Sequence, residues 1–254
     1  MLPRVIPVLG INKNRLVKTV QFKKPNYLGD PLNAIRIFNQ KMVDEIAIVD
    51  IRASLNNSAL DFDLIENMAE ECFSPLAYGG GIKTYDDASK LFSIGVEKII
   101  LNSAAFSTPK LIEEVSKKYG SQSIVVSVDI KKSFLGGYKL RTHSGTQKVK
   151  GSIEHWLKVF IDLGVGEILL HDIDREGTFS GYNSDLIQLF SKEINVPMIA
   201  LGGARNFEDM REALKNGAQA VSAASFFVYR NNNPESILID YPKYEQVKKE
   251  LALP

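Results

Sequence analysis

The sequence is poor in the features that mark secreted, membrane-spanning and nucleic-acid-binding proteins. Cys72 is the single cysteine among 254 residues, so no intrachain disulfide can form. No apolar run approaches the length of a membrane span, and the N-terminus is too proline-rich for a signal peptide. The formal net charge of +1 does not mark a nucleic-acid binder. We therefore expect a cytoplasmic protein that binds neither nucleic acid nor a membrane.

Patterns of metal ligands are also lacking. The three histidines, His143, His155 and His171, form neither a metal-binding spacing nor a Ser-His-Asp pattern. Only His171 lies at the end of a predicted strand. The sequence accordingly predicts no metal and no cofactor.

Short β-branched runs alternate with helical patterns along the whole chain. Apolar strands that alternate with helices are typical of a parallel sheet covered on both faces. Eight such units in a chain of about 250 residues predict a single domain over residues 1–254, an α/β fold of the (β/α)8 TIM-barrel type. A doubly wound open sheet is the alternative. The predicted strands are 4–10, 45–51, 75–79, 98–102, 124–130, 167–172, 197–201 and 220–224.

The two halves of the chain repeat each other. Asp50-Ile51 recurs as Asp172-Ile173 at an offset of 122 residues. Gly79-Gly80 is matched with Gly202-Gly203, one residue further apart. Several such echoes in register indicate an internal duplication. The sequence therefore predicts a barrel built from two duplicated half-barrels.

Glycines follow the third and seventh predicted strands, and a small polar pair follows the next strand in each half. Glycine lets backbone N–H groups approach an anion, and a following helix N-terminus favours negative charge. We interpret these segments as two phosphate sites across the barrel mouth, with simple tight turns as the alternative. A ligand with a phosphate at each end would span the mouth. The first site comprises Gly80, Gly81, Asn102 and Ser103, and the second comprises Gly202, Gly203, Ala224 and Ser225.

Acidic side chains stand at strand ends between these two sites, namely Asp50, Asp129, Asp172 and Asp174. Since no histidine or cysteine lies at ligand spacing, acid–base chemistry is favoured over metal binding. Asp129 ends an apolar strand and is the predicted catalytic residue, with a structural carboxylate as the alternative. Lys18, in the loop after the first strand, is a candidate for closing on substrate.

Several motifs together resemble one family across essentially the whole chain. They are SVDIK (127–131), THSGT (142–146), LGVGEILL with DIDREGTFSGYN (163–183), ALGGA (200–204) and AAS (223–225). The family is the cyclase subunit of imidazole glycerol phosphate synthase. The resemblance implies a glutaminase partner on the barrel floor, ammonia that crosses the barrel, and a bis-phosphorylated substrate.

The resemblance also implies roles for individual positions. Asp129 matches the family's second catalytic aspartate, whereas Ser103 and Glu176 replace a threonine and an aspartate and keep their chemistry. The family's floor gate for ammonia is matched by Arg4, Glu45, Lys98 and Glu167, with a structural ion-pair plug as the alternative. The residues assigned to substrate or phosphate are Lys18, Asp50, Gly80, Gly81, Asn102, Ser103, Ser144, Gly145, Asp174, Glu176, Gly177, Gly202, Gly203, Ala224 and Ser225.

The chain departs from the family at three places. Gly10 stands where the family has its first catalytic aspartate, Arg52 replaces a small polar residue, and His171-Asp172 replaces a pair of hydroxyls. ESILIDYP (235–242) resembles cyclase-like paralogues that serve amidation of bacterial surface-polysaccharide sugars. In that system the paralogue and its glutaminase provide ammonia to a separate amidotransferase.

Three functional hypotheses result. We favour a cyclase-like subunit that receives ammonia from a glutaminase for amidination of a surface-polysaccharide sugar. An authentic cyclase of histidine biosynthesis that tolerates Gly10 is the first alternative. A solitary barrel isomerase acting on a bis-phosphorylated sugar is the second, and the floor charges argue against it.

Overall fold

The computed structural model describes residues 3–134 and 136–252, in which the strands form one continuous sheet. The strands are β1 (Arg4–Asn12), β2 (Arg15–Lys18), β3 (Asn26–Gly29), β4 (Ile46–Asp50), β5 (Leu76–Gly79), β6 (Lys98–Leu101), β7 (Ile124–Lys132), β8 (Tyr138–Thr142), β9 (Gln147–Lys148), β10 (Glu167–Asp172), β11 (Met198–Leu201) and β12 (Ala220–Ala223). The helices are α1 (Pro31–Gln40), α2 (Ala53–Asn56), α3 (Phe62–Glu71), α4 (Tyr85–Ser93), α5 (Ser103–Ser107), α6 (Lys110–Tyr119), α7 (Ile153–Asp162), α8 (Ser184–Glu193), α9 (Phe207–Lys215), α10 (Ser225–Val228) and α11 (Tyr244–Leu251).

Eight parallel strands, β1, β4, β5, β6, β7, β10, β11 and β12, close into a barrel. β12 pairs with β1, and β7 pairs with β10 from Glu167–Val125 to Asp172–Ile130. The predicted (β/α)8 barrel is therefore confirmed, and the open-sheet alternative is wrong. We call the N-terminal end of these strands the floor and the C-terminal end the mouth.

Two antiparallel extensions rise from the mouth, and the sequence did not predict them. β2 and β3 continue β1, where Gly10 pairs with Val17, and β8 and β9 continue β7, where Asp129 pairs with Arg141. These strands are two to five residues long. Alternation over so few residues gives no periodic signal.

Helix caps follow the predicted duplication. The side chains of Asp61 and Asn183 cap α3 and α8, and those of Thr84 and Asn206 cap α4 and α9. Each cap accepts a backbone N–H that would otherwise lack a partner in the first helical turn. Both pairs are 122 residues apart, as are Asp50 and Asp172.

The glycine match needs a correction of one residue. Gly80 and Gly202 both have positive φ, +98° and +114°, and a Cβ there would lie 2.3 Å and 2.6 Å from the carbonyl oxygens of Asp50 and Asp172. These two glycines are therefore equivalent, and their offset is also 122 residues. The sequence match of Gly79-Gly80 with Gly202-Gly203 was shifted because the longer glycine run of the first half allows two alignments.

The apolar side chains form two layers separated by the barrel wall. Val5, Leu9 and Ile11 pack outward against the helices, whereas Ile6 and Val8 face the barrel interior. Position 10 continues the inward series because side chains alternate along a strand. Within residues 3–134 and 136–252, the helices are all too short or too polar to cross a membrane.

Candidate active site

A cavity opens at the mouth and collects most of the residues that the sequence assigned to ligand binding. The two hairpin extensions and the loops after β4, β5, β6 and β10 form its walls. The predicted residues that line it are Lys18, Asp50, Gly80, Gly81, Asn102, Ser103, Asp129, Ser144, Glu176 and Ala224. Gly145 and Asp174 line neither this cavity nor the smaller one beside it, among the residues that the structure describes.

The smaller cavity corresponds to the second predicted phosphate site. It is lined by Gly177, Gly202, Gly203, Ala224 and Ser225, with Glu176 in the wall that it shares with the main cavity. The Ser225 hydroxyl is buried and has no hydrogen-bond partner within the described part of the chain. A buried unpaired hydroxyl is costly unless a ligand or water satisfies it. Phosphate binding here remains a prediction that this hydroxyl favours.

The first predicted phosphate site lies in the main cavity. Gly80 and Gly81 both have positive φ, and Asn102 donates its side-chain amide to the Ser127 carbonyl at 2.9 Å. The Ser103 hydroxyl accepts the His143 backbone N–H at 3.2 Å, so the hairpin after β7 contacts this site. The sequence missed that contact because it joins residues 40 positions apart.

Asp129 lies in the cavity wall near the end of β7. Its carboxylate is buried and accepts a hydrogen bond from the Ser127 hydroxyl at 2.8 Å. The neighbouring strand places His171 beside it, with 3.7 Å between His171 Nδ1 and Asp129 Oδ1. A carboxylate that faces both a cavity and an imidazole is suited to proton transfer.

His171 is the centre of a buried charge cluster with Asp129, Glu176 and Lys18. His171 Nε2 lies 3.2 Å from Glu176 Oε2, and Lys18 Nζ donates to the Glu176 carboxylate and, at 2.6 Å, to the Thr19 carbonyl. Burial lowers the pKa of His171, but Asp129 and Glu176 outweigh it and raise the pKa to about 9. Burial likewise favours a neutral Glu176, but Lys18 and His171 lower the pKa of that carboxyl to about 2. The raised pKa favours the imidazolium form of His171 at neutral pH.

The loop between β2 and β3 covers this cluster. The Phe22 ring packs edge-on against His171 with 4.9 Å between ring centroids. Gln21 donates its backbone N–H to the Glu176 carbonyl and its side-chain amide to the Asp174 carbonyl, both at 2.8 Å. Gln21 and Phe22 both have positive φ, which is uncommon outside glycine. The sequence does not identify Gln21 or Phe22 as site residues, because tertiary contacts decide where a loop adopts the left-handed backbone conformation.

The four strand-end aspartates do not all face the cavity, which corrects the sequence prediction. Asp172 accepts the backbone N–H of Asp174 at 3.0 Å and the Asn183 amide at 2.9 Å, so its carboxylate is structural. Asp174 accepts the Lys132 backbone N–H at 2.7 Å. Only Asp50 joins Asp129 in the cavity lining.

Asp50 combines a structural bond with exposure to the cavity. Its Oδ1 accepts the backbone N–H groups of Arg52 and Ala53 at 2.9 and 3.0 Å. Burial raises the pKa of this carboxyl despite those bonds. The Ser144 hydroxyl donates to the Ile51 carbonyl at 2.6 Å, which ties the hairpin after β7 to the same loop.

Charged residues close the floor at the opposite end of the barrel. Arg4 donates to Glu45 at 2.7 Å and to Glu167 at 2.9 Å, and Lys98 donates to the same two carboxylates at 2.8 and 3.1 Å. The four side chains thus alternate in sign around a closed ring, which we call the floor ring. The apolar barrel interior that includes Ile6 and Val8 separates the floor ring from the mouth.

Comparisons with known proteins agree with this arrangement. A family model described as "Histidine biosynthesis protein" matches residues 4–233. A provisionally named imidazole glycerol phosphate synthase subunit HisF from Leptospira interrogans is 46% identical over 245 residues, or 96% of each chain. A provisionally named subunit hisF2 from Pseudomonas aeruginosa is 45% identical, covering 94% of this chain and 95% of its own. The subunit HisF of Streptomyces griseus is 38% identical, covering 88% and 89%. The chain therefore belongs to the histidine biosynthesis protein family, among the HisF-like cyclase subunits of imidazole glycerol phosphate synthase.

Proposed function

We propose that this chain receives ammonia from a glutaminase docked on the floor and conducts it through the barrel to the mouth. The floor ring is the observation that carries the proposal. It joins four charges across the one end of the barrel that has no other predicted role. A solitary enzyme would have no need of such a ring.

The barrel interior suits neutral ammonia. Its lining includes Ile6, Val8, Ala77, Val125 and Leu169, which offer no hydrogen bond to an ammonium ion. Burying an unpaired cation in such surroundings is prohibitive, whereas a small neutral molecule can pass. Opening one ion pair of the floor ring would admit ammonia from the partner.

The acceptor is, in our proposal, a surface-polysaccharide sugar that is amidinated through a separate amidotransferase. Gly10 lines the mouth where the family carries its first catalytic aspartate, and glycine cannot transfer a proton. Loss of one acid–base partner costs about 10² to 10⁴ in rate. Ring closure on the bis-phosphorylated substrate of histidine biosynthesis should therefore be slow, which leaves ammonia for another acceptor.

The second candidate is an authentic cyclase of histidine biosynthesis. The position of His171 beside Asp129 favours it, because an imidazolium could supply the proton that position 10 cannot. Complementation of a histidine auxotroph that lacks the cyclase separates the two functions. Growth at the rate given by an ordinary cyclase would establish the second candidate and refute the first.

The glutaminase partner is tested separately. Coexpression with a glutaminase subunit from the same organism, followed by size-exclusion chromatography, should give a 1:1 complex. An absence of association at tens of micromolar would contradict both candidates. Steady-state assays with ammonium salts bypass the partner and measure ring closure alone.

A further inference from the structure

The charge cluster at the mouth contains equal numbers of basic and acidic side chains without any ligand. Lys18 and His171 are the basic members, and Glu176 and Asp129 are the acidic ones. The four side chains are at most 13% exposed. A further anion placed among them would leave an uncompensated buried charge, which is strongly unfavourable.

Glu176 occupies the place where that conflict would arise. Its carboxylate bridges Lys18 Nζ and His171 Nε2, and the residue lines both the main cavity and the smaller one. A ligand that spans both cavities has to pass the Lys18–Glu176 pair. The Glu176 carboxylate is bound to Lys18 and His171, and each of these basic groups would bind an oxyanion of a ligand as well as it binds Glu176.

We propose that Lys18 and His171 receive an anionic group of the ligand, a carboxylate or a phosphate, and that the Glu176 side chain holds this place until the ligand displaces it. Exchange of the Glu176 carboxylate for a ligand carboxylate or a singly charged phosphate leaves the charge of the cluster unchanged. Phe22 excludes water on one side of the imidazole, which strengthens its bond to the incoming group. The proposal rests on the proposed function in one respect, namely that the ammonia acceptor binds at the mouth.

The test uses the full chain with inorganic phosphate and D-glucuronate as probes, and glucose as the uncharged control. Three histidines give a simple NMR spectrum in which the ring signals of His171 report the cluster. We expect phosphate or glucuronate, but not glucose, to shift these signals at saturation. The probe that shifts them identifies the anion class. Saturation of either glycine site by phosphate while the His171 signals stay unchanged with both probes would overturn the proposal.

Glu176→Gln removes the competing charge but keeps a hydrogen-bond acceptor for Lys18. We expect it to bind the active probe about tenfold more tightly, the effect of exchanging a charged for a neutral competitor. His171→Asn should bind it about tenfold more weakly. Glu208→Gln, at a side chain that is 67% exposed, is the matched control and should leave the affinity unchanged. An affinity of Glu176→Gln equal to or below that of wild type would refute displacement.

These titrations need neither glutaminase nor ammonia. Their failure would leave the floor ring and its ammonia route intact. Conversely, normal anion binding without glutaminase association would contradict the proposed function and leave the displacement of Glu176 standing.

Discussion

The charge of His171 should make the stability of this protein depend on pH in the alkaline range. The pKa of His171 rises from 6.5 to about 9 on folding because Asp129 and Glu176 favour the imidazolium. A raised pKa stabilises the folded state fully below pH 6.5, and this contribution disappears as the pH rises through 9. At about 1.4 kcal/mol per pKa unit, the difference amounts to roughly 3 kcal/mol.

The acidic side of the same cluster follows the opposite rule. The lowered pKa of Glu176, about 2, contributes stability above pH 4.5 that is lost as the pH falls toward 2. The shifts of His171 and Glu176 describe one shared interaction, so their energies must not be added. The alkaline window is the cleaner one because no carboxylate with an ordinary pKa titrates there.

Urea unfolding of wild type and His171→Asn at pH 6 and pH 10 measures this contribution. The free energy of unfolding of wild type should exceed that of the variant by about 3 kcal/mol at pH 6, and the difference should vanish by pH 10. The double difference cancels the other groups that titrate between these values. An equal pH dependence of the two proteins, or an NMR titration of His171 near 6.5, would refute the proposed cluster.

Three further outcomes are expected elsewhere in the barrel. Lys98→Met should lower the free energy of unfolding in urea by about 3 kcal/mol, because it leaves the buried carboxylates of the floor ring with fewer ion pairs. The control Lys158→Met, at a side chain that is 78% exposed, should lower it by less than about 0.5 kcal/mol. Equal losses would contradict a stabilising floor ring. Gly10→Asp should raise the rate of ammonium-dependent ring closure in steady-state assays. It should also lower the free energy of unfolding by about 1–3 kcal/mol, because its Cβ would lie 3.0 Å from the Val17 carbonyl oxygen. An unchanged rate would refute the hypothesis that ring closure lacks only an acid at position 10. Crystals grown in sulfate should show an anion at each of the two glycine sites. Gly203→Ala should remove only the anion at the second site, because Gly203 has a φ of +95° and a Cβ there would lie 2.1 Å from a backbone carbonyl oxygen.

Several features of the fold could be predicted from the sequence because they depend on local or periodic patterns. Alternating β-branched and helical segments predict eight parallel strands, and the repeat at 122 residues predicts two equivalent halves. Arg4 and Lys98 begin their strands, and Glu45 and Glu167 lie at the starts of theirs. Strand starts meet at one end of a closed barrel, so the positions of these four residues agree with the floor gate that the family resemblance implied.

Alternation along regular strands accounts for the direction of two strand-end carboxylates. Asp129 lies on the inward face of β7 and lines the cavity, whereas Asp172 follows the inward-facing His171 in β10 and points away from the cavity. Asp174 lies after β10, where no such rule operates. Its carboxylate accepts the backbone N–H of Lys132 at the end of β7, a contact that forms only in the folded barrel and that the sequence could not predict.

The sequence by itself determined the barrel, its duplication and the ends at which charged and glycine-rich segments gather. The tertiary structure alone decided that His171 lies between Asp129 and Glu176 and that Lys18 pairs with Glu176. These contacts join β2, β7, β10 and the loop after β10, which are separated by up to 158 residues in the chain. The ionisation of His171 and Glu176 is set by burial and by the charged side chains around them at once. No local pattern encodes that balance, because it exists only when the barrel has closed and brought the four side chains together.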